Sequence, residues 1–216
     1  MSVKLEKKQL SPVEELQMMF NNEKLDIKQI KLQEYLQALK TMGVAKNLNV
    51  QQMYIFIKYC YMLKLNPLLK QIHCVTYKNR DGSTTMTPII SYSEYIKRAE
   101  KHPNYQLPEI KTIDRDENGK LLPLDQVYII ARVQRKGDTT SLEKVFYMSE
   151  WNKKTGEWLT KPKHMLYVRA LKNILSIAYP NEIAEFELAE AAYEAESNEA
   201  EHLPKTKQMK KLLDGE

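Results

Sequence analysis

The sequence predicts an α+β fold: an antiparallel β-hairpin and a three-stranded meander packed against helices, with N-terminal helices before them and an acidic C-terminal helix after. Three observations carry this. Up to Leu65, apolar residues recur at helical spacing behind capping signals. From Ile72 to Met148 the period switches towards two, broken by turns rich in Asn, Asp and Gly. After Trp151 helical spacing returns, and it runs on into an alanine-rich, acidic stretch.

Met1 to Leu10 is polar and lysine-rich and reads as a loose arm. Ser11-Pro12-Val13-Glu14 is a capping box with proline at the first helical position, which predicts a short helix to about Phe20. Asp26 and Gln29 begin a second helix. Leu32, Tyr35, Leu36, Leu39 and Met42 form its stripe, and Gly43 stops it. Asn49 and Gln52 begin a third, in which Val50, Met53, Tyr54, Ile57, Cys60 and Tyr61 share a face. Leu65-Asn66-Pro67 ends it. These stripes read as core packing.

Ile72–Tyr77 and Thr84–Ser91 are the arms of a hairpin around Asn79-Arg80-Asp81-Gly82-Ser83. Pro88 has no N–H to give a ladder and must face an edge or a bulge. Ser91 and Glu94 cap a short helix that closes before Pro103. Tyr105 to Ile113 is the next strand, and Asp114 to Lys120 is a charged turn with Gly119. Val127, Ile129, Ala131 and Val133 alternate with Tyr128, Ile130, Arg132 and Gln134, as in a half-buried strand. Lys136-Gly137-Asp138 turns the chain into Leu142, Lys144, Phe146 and Met148. One face of this sheet is expected under helices and the other partly open, with Arg132 and Lys144 on the open side.

Trp158 to Pro180 reads as one helix. Pro162 lies in its first turn, Thr160 or Lys161 at its cap, and Val168, Leu171, Leu175 and Ala178 on an apolar stripe. Arg169, Lys172 and Ser176 form a polar stripe. Lys161, Lys163 and His164 crowd the first turn, where the dipole already disfavours cations by roughly 0.3–1 kcal/mol each. An anion docked there would explain them; the alternative is a solvated lysine pair. Trp151 and Trp158 bracket Lys153 and Lys154, which suits bases stacked on rings with phosphates on lysines. Alternatively both rings close the core, the reading that fits Trp151 better. Glu182 to Glu201 holds eight acids and no base, and the tail from His202 is basic.

The net charge of +5 over 216 residues conceals an asymmetry. Val50 to Asn181 carries 21 Lys/Arg against 12 Asp/Glu, so a basic body precedes an acidic segment and points to a polyanionic partner. No apolar run approaches the ~20 residues of a membrane span, and no signal-peptide pattern opens the chain. Cys60 and Cys74 have no metal or redox spacing and read as buried free thiols in a reducing compartment.

Enzyme signatures are missing. Gly119-Lys120 is followed by Leu121, and Asp114 stands where a Walker glycine is needed. The four histidines make no zinc spacing, and no Gly-x-Ser-x-Gly elbow occurs. No cofactor is expected. Glu109, Asp114 and Asp116 form the best carboxylate group, so the alternative function is a metal-dependent nuclease.

Two motifs resemble a known family. Leu65-Asn66-Pro67-Leu68-Leu69-Lys70-Gln71-Ile72, then Tyr77-Lys78 and Thr87-Pro88-Ile89-Ile90, is similar to the first hairpin of the RecT/Redβ single-strand annealing proteins of phages. Gly156-Glu157-Trp158, Pro162-Lys163-His164-Met165-Leu166, Arg169-Ala170 and the closing Tyr179-Pro180 resemble that family's basic helix. Together they span Leu65 to Pro180. The resemblance implies a cytoplasmic, ATP-independent recombination protein that is not an enzyme. Such a protein coats single-stranded DNA as a ring or helical filament, pairs complementary strands and holds the annealed duplex.

On that reading residues 1–49 make oligomer contacts, 50–181 form the annealing core, and 182–216 are an acidic helix with a flexible basic tail. By position, Lys70, Lys78, Lys163 and Arg169 are the expected backbone contacts. Lys153, Lys154, Lys161 and Lys172 join them on charge and placement, Arg132 from the open sheet face, and Arg80 as a wedge against bases or a neighbour. His164, Tyr167 and Ser176 stand where relatives often carry arginine, which implies a less positive groove whose binding depends on pH through His164. A phage exonuclease or a host single-strand binding protein is a further implied partner. Residues after Glu201 are too few for the separate C-terminal domain that some relatives use to recruit one.

Overall fold

A computed structural model describes residues 32–45, 48–78 and 84–186. The expected helix from Pro12 to Phe20, the start at Asp26, the hairpin tip with Arg80, and the acidic stretch beyond Phe186 lie outside those residues. The fold is α+β and divides into two compact units, Met1–Ser91 with Phe186–Glu216, and Tyr92–Glu185.

In the first unit, α1 (Leu32–Thr41) buries Tyr35, Leu36 and Leu39. It ends at Gly43, whose φ of +75° needs no Cβ. The stop leaves Met42 46% exposed rather than on the stripe. In α2 (Val50–Leu63) Asn49 and Gln52 make the expected reciprocal capping box, with bonds of 2.9 and 3.0 Å. This helix buries more than one face, adding Ile55, Phe56, Tyr59 and Leu63 to the expected stripe. An almost wholly apolar helix is a core helix. Lys64 closes it in the left-handed region, and the Leu65 N–H donates back to the Cys60 carbonyl at 2.9 Å. Asn66 then accepts from the Leu68 N–H to start a short 3₁₀ turn, which Lys70 ends with φ +57°.

The hairpin pairs β1 (Ile72–Lys78) with β2 (Thr84–Ile90), antiparallel, with Cys74 opposite Pro88. The Cys74 N–H points away from β2 and donates to the Val44 carbonyl at 3.0 Å. The pair is therefore a non-hydrogen-bonded one, and the ladder loses nothing at the proline.

The second unit opens with α3 (Tyr92–Ala99). Its sheet has the order β3 (Glu109–Ile113), β4 (Tyr128–Val133), β5 (Leu142–Tyr147), antiparallel throughout. β3 starts four residues later than expected. The Tyr179 hydroxyl occupies both the N–H and the carbonyl of Gln106, at 2.9 and 3.0 Å, and Pro108 has no N–H to offer. Val127, Ile129, Ala131 and Val133 are buried as their alternation requires. Two short helices follow, α4 (Met148–Trp151) and α5 (Glu157–Thr160). The long helix α6 (Pro162–Ala178) then crosses the sheet. Leu166, Ala170, Leu171, Ile174, Leu175 and Ala178 are its buried residues, and Val168 is only half-buried.

The single expected helix from Trp158 is thus broken. Pro162 excludes the helical region at the residue before it, so Lys161 takes φ −137°, ψ 52° and separates α5 from α6. Residues 180–186 are helical, and Arg98 on α3 pairs with Glu185 at 2.5 Å. Lys144 corrects an expectation. It lies opposite Ala131, on the face that α6 covers, and its ammonium donates to Asn173 Oδ1 of α6 at 3.0 Å. Strand parity fixes this side, and edge position alone keeps the charge exposed. No helix among the described residues is long and apolar enough to cross a membrane.

Candidate nucleic-acid interface

The candidate residues divide between the units. In the first, Lys70 is exposed at the end of its 3₁₀ turn, and Lys78 is the last residue of β1, paired with Thr84. Arg80 is outside the described residues. The other eight, Arg132, Lys153, Lys154, Lys161, Lys163, His164, Arg169 and Lys172, belong to the second unit, and five of them are on α6 or its cap.

The outward stripe of α6 reads Met165, Arg169, Lys172 and Ser176, spaced four, three and four residues apart. Each cation on it is seated on an aromatic ring. The Arg169 guanidinium carbon lies 4.3 Å from the centre of the Trp151 ring. The Lys172 ammonium lies 4.8 Å from the Tyr95 ring on α3. Such contacts hold a cation in place by about 0.5–1 kcal/mol at exposed sites. Trp151 is half-buried and also packs its ring 6.2 Å from Phe146, so it joins the core to the cation. Trp158 is the buried tryptophan of the two.

The crowded first turn of α6 has a physical explanation. The Lys163 ammonium contacts the Asp114 carboxylate at 2.6 Å. That hydrogen bond, then the charges of Lys163 and Arg115, hold the Asp114 carboxyl below its ordinary range against partial desolvation. The anion at the helix N-terminus is thus the protein's own. His164 is exposed, with its ring edge-on to Tyr92 at 6.5 Å. Lys161, Lys153 and Lys154 are exposed, and Lys154 holds φ +52° while its N–H donates to Asn152 Oδ1.

Arg132 is on the open sheet face, as expected, but it is engaged. Its Nε and Nη2 both donate to Oε2 of Glu143 on β5, and it lies opposite Glu109 of β3. Both carboxylates push the guanidinium pKa up, Glu143 the more. With two carboxylates to one guanidinium, this row of the sheet is net negative rather than positive.

The carboxylates of the nuclease alternative have structural partners. Asp114 holds Lys163. Asp116 Oδ1 accepts the N–H groups of Asn118 and Lys120, both at 2.9 Å, and so shapes the turn. Among the described residues no group of three His, Cys, Asp or Glu is placed to hold a metal. Sequence reasoning missed Tyr95 and Asp114 as partners of the cations. Neither contact is local, and only charge and aromatic composition hinted at them.

A model of the RecT family matches residues 27–208 of the chain. No curated protein matches it.

Proposed function

The chain belongs to the RecT family of phage single-strand annealing proteins for recombination, and from that membership we propose how it works. It binds single-stranded DNA without ATP, coats it as an oligomer in the host cytoplasm, and pairs complementary strands. The observation that carries the reading is the outward stripe of α6, with Arg169 and Lys172 each held on a ring.

Cations on the sugar-phosphate backbone release counterions and give affinity without sequence preference. Gripping the backbone leaves the bases free to test a second strand, which is what annealing needs. Arg169 and Lys172 are the central contacts. Lys161, Lys153 and Lys154 extend the field, with His164 beside them on the first turn of α6. Lys163 acts first as a latch between α6 and the end of β3, and reaches phosphate only by leaving Asp114. Lys70, Lys78 and Arg80 are further contacts on the grounds of their places in the sequence. An exonuclease or a single-strand binding protein is the further partner this function calls for.

The test mixes the pure protein with two complementary fluorescent oligonucleotides, without nucleotide or metal. Pairing faster than in the protein-free control, with both strands intact, is the expected result. No binding and no acceleration at low salt would overturn the reading. Strand cleavage on adding Mg²⁺ would return the function to the carboxylates.

A further inference from the structure

The open face of the sheet carries a second feature, at the opposite end from the Arg132 pair. Three residues in register, Ile113, Tyr128 and Tyr147, cross β3, β4 and β5 in one row. The two tyrosine rings lie 5.8 Å apart at 40°. Tyr147 is 45% exposed, though rings of this size are usually more enclosed. The adjoining row is Lys111, Ile130 and Val145. Lys111 stands two residues before Ile113 on β3 and Arg115 two residues after it, beyond the end of the strand; both are exposed, and the Arg115 guanidinium also donates to the Gly119 carbonyl at 2.7 Å. The acidic groups of this face, Glu109 and Glu143, are at the far end, opposite Arg132.

We propose that this tyrosine row is a base-stacking platform for single-stranded nucleic acid, with Lys111 and Arg115 taking the flanking phosphates. The inference rests on the annealing reading and adds a subsite to it. An exposed ring backed by a half-buried one on a sheet, with cations two residues away, about 6.6 Å along an extended chain, matches the alternation of base and phosphate. The row also adjoins the α6 interface through the chain. Ile113 leads directly into Asp114, the partner of Lys163. Tyr147 leads directly into α4, which ends on Trp151 beneath Arg169. The row is on the sheet face opposite α6, so a strand leaving the basic helix reaches it only by rounding this end of the sheet.

The test compares two probes on the full chain: an oligothymidylate, and an abasic phosphodiester of the same length. Stacking on one ring is worth about 5- to 150-fold in affinity. Y147A is expected to lose that factor on the oligothymidylate alone, with the abasic probe and the salt slope unchanged. Y147F is expected to bind as the parent does. K111A is expected to weaken both probes and to flatten the salt slope by about 0.7. Equal binding of both probes by Y147A and the parent would overturn the platform. So would a changed oligomeric state in Y147A with an unaltered ratio between probes, which would assign the row to a second copy of the chain. Failure of the parent to bind oligothymidylate at low salt would instead overturn the annealing reading itself.

Discussion

Lys163, at the first turn of α6, holds Asp114, just beyond the end of β3, through an ion pair of 2.6 Å. The two residues are 49 positions apart in the chain. Their pairing places a carboxylate where the helix dipole favours one and leaves the cation only part of its capacity for phosphate. Both side chains are substantially exposed, so the pair orients the helix end more than it stabilises the fold. It also ties up the acid that a nuclease would need.

Releasing this latch should strengthen DNA binding. In D114N the lysine is free to meet phosphate, and the slope of log K against log salt is expected to steepen by about 0.7. Fluorescence anisotropy at several salt concentrations measures it. An unchanged slope would mean that Lys163 does not reach the DNA.

The same pair fixes a pH dependence. The Asp114 carboxyl titrates below its ordinary value of 3.8 when folded, so the folded chain binds fewer protons than the unfolded one there. The contribution is complete above that ordinary value and is lost as pH falls through the lowered one. D114N is expected to be less stable than the parent at neutral pH and to converge with it as pH falls through the lowered pKa. Urea titrations across that range give the comparison.

Trp151 tests how the cation is held. In W151L the charge of Arg169 remains but its seat is gone. Affinity for single strands is expected to fall by about 2- to 5-fold, the worth of an exposed cation–π contact, with the salt slope unchanged. A flatter slope would mean that the charge itself had been lost from the interface.

Much of this was legible from residue order. The alternation from Val127 to Val133 gave β4 and its buried side, and Asn49 with Gln52 gave the start of α2. Pro162 gave the start of α6. What residue order concealed was non-local. The register places Glu143 beside Arg132, which neutralises a cation that charge counting had offered to DNA. Strand parity puts Lys144 under α6. Of the two tryptophans, Trp158 is enclosed, and Trp151 meets both core and cation because α4 turns it towards α6. Likewise, the Tyr179 hydroxyl shortens β3 from 73 residues away.

That last contact has a measurable energy. Tyr179 is fully buried, and its hydroxyl serves both backbone groups of Gln106. Y179F removes both bonds at an exposed residue and is expected to cost about 0.5–1.5 kcal/mol, read from the urea midpoint. I174A, in the apolar stripe of α6, is expected to cost about 2–5 kcal/mol by the same measurement.

The central claim is that the outward stripe of α6 grips the strand. The most direct measurement is the salt dependence of oligothymidylate binding by R169A/K172A beside the parent, with circular dichroism as the check on folding. The account predicts a folded variant whose slope is flatter by about 1.4, two phosphate contacts at about 0.7 each, and whose annealing rate falls to the protein-free control. A folded variant with the parent's slope and annealing rate would contradict it and move the groove off this helix.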